Sequence, residues 1–87
     1  MPVSSTSLVE RIARVIAGRE LSANGVGDDP SAAGRVDAIW HEYRGDALAV
    51  IRTLREPDRQ MAEAGDVETW ERMIEAALAE ADANLTA

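Results

Sequence analysis

The chain contains no cysteine, no lysine and no phenylalanine. Without cysteine there is no disulfide, no thiolate nucleophile and no Cys-based zinc site. Without lysine there is neither a Schiff-base amine nor a phosphate-loop ammonium; all nine basic residues are arginine. The single histidine, His41, cannot form a multi-histidine metal site. Aromatic side chains are confined to Trp40, Tyr43 and Trp70. No stretch approaches the roughly 18 apolar residues that span a bilayer. The first residues show neither a basic start nor an apolar run of signal-peptide length, so a cytoplasmic protein with no membrane association is expected.

What remains describes a small helical domain. The 87 residues suit one domain over 1–87, with ends at 1–6 and 84–87 expected to be disordered. Apolar residues make up 46% of the chain, but 16 of them are alanine. Alanine lets helices approach closely and contributes little buried area per residue. The net charge of −7 works against binding a duplex phosphate backbone.

The strongest pattern lies in the middle of the chain. At 100° per residue, Val36, Ile39, Trp40, Tyr43, Ala47, Val50, Ile51 and Leu54 fall within an arc of about 120°. This spacing predicts one amphipathic helix over about 35–56, with Gly45 on the opposite, solvent-facing side. Such a helix would be about 30 Å long and would span the molecule.

Local signals place the other elements. Ser7-Leu8-Val9-Glu10 fits a capping box opening a helix over about 7–19, whose apolar stripe is Leu8, Ile12, Val15 and Ile16, flanked by Val9. Gly18 suits its C-terminal cap, and Arg19 would fall on the apolar arc if the helix continued. Residues 21–34, rich in glycine and holding Asp28-Asp29-Pro30, are expected to form a flexible loop, with a short turn capped by Asp29 as the alternative. Pro57 ends the long helix and opens a short one over 57–64, stopped by Gly65. Asp66 can cap a last helix over 66–83, with Val67, Trp70, Met73, Ile74, Ala77, Leu78 and Ala81 on one face. The expected fold is an all-α bundle of three to four helices packed around the Trp40/Trp70 region, the long and last helices antiparallel or steeply crossed.

Few groupings carry chemistry. Asp37, four residues before His41, could orient it as a base, although an exposed helical surface explains the pair equally simply. Glu68, Glu71, Glu75 and Asp82 form an acidic flank without the inward Glu-x-x-His pairs of di-metal bundles, and are read as a solvated face. Asp28-Asp29 lacks calcium-loop spacing. Arg44, Arg52, Arg55 and Arg59 cluster on or just beyond one flank of the long helix, where guanidinium forks could take an anion or pair internally with glutamates. Trp40, Tyr43, Trp70, Met61 and Met73 could line a pocket; at helical spacing they read as core, with an interface as the alternative. The candidate interaction surface is therefore Trp40, Tyr43, Arg44, Arg52, Arg55 and Arg59. No catalytic, metal or cofactor residue is assigned.

Leu54-Arg55-Glu56-Pro57, Met61, Ala64-Gly65, Trp70, Met73-Ile74 and Ala77-Leu78 resemble a pattern found in short bacterial and phage-borne helical proteins of no assigned function. The resemblance covers about the last 40 residues, and Trp40 to Ile51 more loosely. It implies an accessory protein of bacterial or prophage origin and carries over no site residue. The functional expectation is a non-catalytic, self-associating interaction protein without cofactor. The alternative is a nucleic-acid-associated regulator using the arginine flank.

Overall fold

A computed structural model describes residues 3–23 and 32–86, with side chains of the second stretch described over 33–81. The described residues form helices α1 (Leu8–Ala23), α2 (Ala32–Ile39), α3 (Arg44–Leu54), α4 (Arg59–Ala64) and α5 (Val67–Thr86), with a 3-10 turn at Trp40–Tyr43. No strand is present among them, so the fold is the all-α bundle that the patterning requires.

Ser7 opens α1: its Oγ accepts the Glu10 amide at 3.2 Å. The reciprocal half of the capping box does not form, because the Glu10 carboxylate instead accepts from Arg14 Nε at 2.8 Å. The helix runs past the expected stop at 18–20 because its buried face is rotated from the predicted stripe toward the Val9 flank, with Leu8 and Ile12 only partly buried against the core. Val9, Ala13 and Ala17, each four residues apart, are buried, whereas Val15 is 64% exposed. Arg19 lies about 120° round the helix from Ala13, on the exposed side, and nothing opposes continuation. Gly18 is no cap. A Cβ there would sit 4.0 Å from Val36 Cγ2, so Gly18 lies where α1 meets α2.

The single helix expected over 35–56 is broken. The α-helical hydrogen bonding ends at Ile39 (φ −116°, ψ −9°), the backbone leaves α geometry at Tyr43 (φ −104°, ψ 9°), and Arg44 N–H donates to the His41 carbonyl. The run Ile39-Trp40-His41 and then Tyr43 consists of residues that lose side-chain freedom in a helix. The two arms, α2 and α3, both pack on α1, as does the turn between them. A straight rod could not wrap α1 in this way. Gly45 is not the breakpoint; it lies in the first turn of α3 with nothing within 4 Å of a Cβ, facing solvent as expected. A 3-10 turn advances about 120° per residue instead of about 100°, so the apolar phase is not carried across it. Leu48, outside the predicted stripe, is buried with Ala47 and Ile51, and Val50, inside it, is 43% exposed.

The core is thin. Its buried members are Val9, Ala13, Ala17, Ala47, Leu48, Ile51, Ile74 and Ala81, half of them alanine. Trp40 and Trp70 pack half-buried at its edge and do not form its centre. Helices α3 and α5 run antiparallel: Leu54 meets Trp70 at one end and Arg44 meets Ala81 at the other. Asp58 caps α4 through the Met61 amide at 2.9 Å, so that helix starts after Pro57 instead of at it. Gly65 is extended (φ −160°, ψ −163°) and ends α4. Asp66 caps α5, accepting from the Glu68 amide at 3.3 Å and the Thr69 hydroxyl at 2.6 Å. The α5 backbone continues to Thr86, past the expected end at 83. Of the loop expected at 21–34, both ends are helical, and 24–31, with Asp28, Asp29 and Pro30, lie outside the described residues.

The radius of gyration is 15.1 Å, against about 12 Å for a compact domain of this length. The accessible surface is 6308 Å², against roughly 5,000 Å² for a compact monomer of this mass. No described helix is long and apolar enough to cross a membrane.

Candidate functional site

The six residues of the expected interaction surface do not form one surface. Trp40 and Tyr43 occupy the 3-10 turn and pack against the core. His41 stacks on Trp40, ring centroids 3.9 Å apart and planes at 28°. The Arg14 guanidinium lies 5.4 Å from the Trp40 ring centroid. Asp37 pairs with Arg14 across the α1–α2 contact, and Glu10 pairs with it along α1. Hydrogen bonding to Asp37, and next to Glu10, pushes the Arg14 pKa above its ordinary value. The carboxylate that could have oriented His41 is thus held by an arginine, and no base–orienter pair forms there.

The arginine flank is divided. Arg44 turns inward and donates to the Ala81 carbonyl at 3.3 Å, and its buried Nε has no hydrogen-bond partner among the described residues. Arg52 and Arg55 line a polar cleft with Thr53, Glu56, Glu71 and Glu75. Arg55 pairs with Glu75 at 2.7 Å. The cleft sets two guanidiniums against three carboxylates, the wrong balance for a polyanion. Arg59 stands exposed at the start of α4. Of the acidic flank, Glu68, Glu71 and Glu75 are exposed, and the Asp82 side chain lies outside the described residues. Among the described residues no three His, Asp or Glu side chains come close enough to hold a metal ion.

A different feature emerges between α4 and α5. Pro57, Met61, Gly65, Val67, Trp70 and Met73 line an apolar groove of about 230 Å³, with Asp66 and Thr69 on its wall. Met73 is 61% exposed and Met61 40% exposed. Both polar wall residues are engaged with each other at 2.6 Å in the α5 cap, leaving an apolar floor. The physical cause is the brevity of α4. Six residues between Pro57 and Gly65 present one methionine and make no extended packing contact with another helix. Helical spacing had assigned Met61 and Met73 to the core; the signal for the groove was the shortness of the segment that would have to cover them.

Comparison of the chain with protein-family models, with curated proteins and with solved structures yields no match, so its reading rests on its own residues.

Proposed function

We propose that this chain is a non-catalytic interaction protein that associates with itself. One observation carries the reading: the α4–α5 groove leaves Met61 and Met73 uncovered beside Trp70. Methionine and tryptophan are enriched at protein interfaces, and large apolar side chains grouped on a surface mark contact sites. The thin alanine-rich core supports the same reading, because a second chain supplies burial that this one lacks. The solvent-exposed carboxylates and the engagement of Asp37 by Arg14 support a non-catalytic role. The C-terminal resemblance to short bacterial and phage-borne proteins fits an accessory protein. Sedimentation equilibrium from micromolar to millimolar concentration tests the proposal: the average mass should rise with concentration, and a monomer throughout overturns it.

The nucleic-acid alternative has less support, since Arg44 is turned inward and Arg55 is paired with Glu75. Titration with duplex DNA at low ionic strength checks it, and no binding there ends it.

A further inference from the structure

We infer that Met73 and Met61 form an oxidation site: a hydroperoxide converts them to sulfoxides, Met73 first, and the α4–α5 groove passes from apolar to polar. The chain holds no cysteine, so its three methionines carry all of its sulfur. No thiolate of its own intercepts an oxidant ahead of them. Both methionines among the described residues line this one groove, with Trp70 beside them.

The chemistry needs only access to the thioether. The sulfur lone pair attacks the terminal oxygen of the peroxide. The S–O bond forms as the O–O bond breaks, and the proton on that oxygen passes to the departing alkoxide. Sulfur is oxidised to the sulfoxide, and the peroxide is reduced to an alcohol, or to water when it is hydrogen peroxide. Methionine sulfoxide reductases reverse the change. Access sets the order, since Met73 is 61% exposed and Met61 40% exposed.

The consequence lies in what surrounds the new oxygen. A sulfoxide is polar where the thioether was apolar, and it needs hydrogen-bond donors. The lining has two side-chain donors, and both are committed. The Thr69 hydroxyl donates to Asp66 at 2.6 Å, and Trp70 Nε1 donates to the Leu54 carbonyl at 2.6 Å. Water therefore answers the sulfoxide and enters beside Trp70. Met61 is also the one large apolar side chain of α4. Making it polar weakens the hold of that six-residue helix on α5.

The test treats the full chain, in dilute solution, with hydrogen peroxide and locates the added oxygen by peptide mass spectrometry. In urea the two methionines should react alike. In the native chain Met73 should react at least about twofold faster than Met61. Tryptophan emission should then move to longer wavelength. The double variant Met61→Leu, Met73→Leu, close to wild type in volume, should abolish that shift. The two single leucine variants repeat the comparison if the double variant loses its helical circular dichroism, each expected to keep only part of the shift. A chain that is monomeric throughout should show the same order and the same shift, so the result is separate from self-association. Equal native rates, Met61 reacting ahead of Met73, emission unmoved by oxidation of both, or a full shift in the leucine variants overturns the oxidation site.

Discussion

The Trp70 indole Nε1 donates to the Leu54 carbonyl at 2.6 Å, tying α5 to the last residue of α3. That carbonyl would ordinarily accept from the amide four residues on, but the chain has already turned away through Pro57. One side chain thus closes a helix end left open by a proline. Trp70→Phe keeps a ring in place and removes the donor. It should cost about 1 kcal/mol, the lower end of the range for an orphaned carbonyl, because the site is only part-buried. Urea unfolding followed by circular dichroism reads the loss; an unchanged midpoint would show that water replaces the indole.

The break in the middle of the chain reorders which residues matter. Ile51 is fully buried and Val50 is 43% exposed, although an unbroken helix would place both in the stripe. Ile51→Ala should cost about 2–5 kcal/mol, and Val50→Ala less than about 1 kcal/mol. Equal costs would restore the continuous helix.

Arg14 bridges α1 and α2 through Glu10, Asp37 and the Trp40 ring. Arg14→Gln should lower the melting temperature, and the gap from wild type should narrow as salt is added, since these pairs are solvent-accessible. The folded-state pKa of Arg14 is raised, so its contribution is complete below the unfolded value and fades only as pH climbs through the folded one. Both lie far into alkali. The gap between wild type and Arg14→Gln should therefore stay constant from about pH 7 to about pH 10.

Gly18, Gly34 and Gly45 sit in helices where a methyl group fits, and two of them make the test. Gly45 has nothing within 4 Å of a Cβ, and at Gly18 the nearest atom is Val36 Cγ2 at an ordinary 4.0 Å. Alanine at either position should stabilise the fold by up to about 1 kcal/mol. Leucine at Gly18 should instead push α2 off α1 and reverse the sign. Thermal melts of the three variants separate these outcomes.

The C-terminal half was legible because its instructions are local. Gly65 stops α4 and Asp66 starts α5 as the sequence indicates, whereas Asp58, and not Pro57, starts α4 through the Met61 amide three residues on. The N-terminal half was not, because its decisive facts are tertiary. Which face of α1 is buried depends on α2, the turn and α3 all lying across it, and that shared demand also bends the middle helix at Trp40–Tyr43. The groove residues suit a pocket lining in the sequence but are assigned there to the core, for a related reason. A methionine at helical spacing reads as interior whether or not anything lies over it, and Met61 and Met73 remain 40% and 61% exposed. The arginine flank failed as a unit because angular position on one helix says nothing of partners elsewhere; Arg55 found Glu75 on α5.

The only two indoles in the chain occupy different joints, Trp40 where the 3-10 turn meets α1 and Trp70 where α3 meets α5. The molecule therefore carries a matched pair of built-in optical gauges. Silencing one by conversion to phenylalanine leaves the other to report its own joint, and comparing the two melting curves reveals whether the halves let go together or in turn.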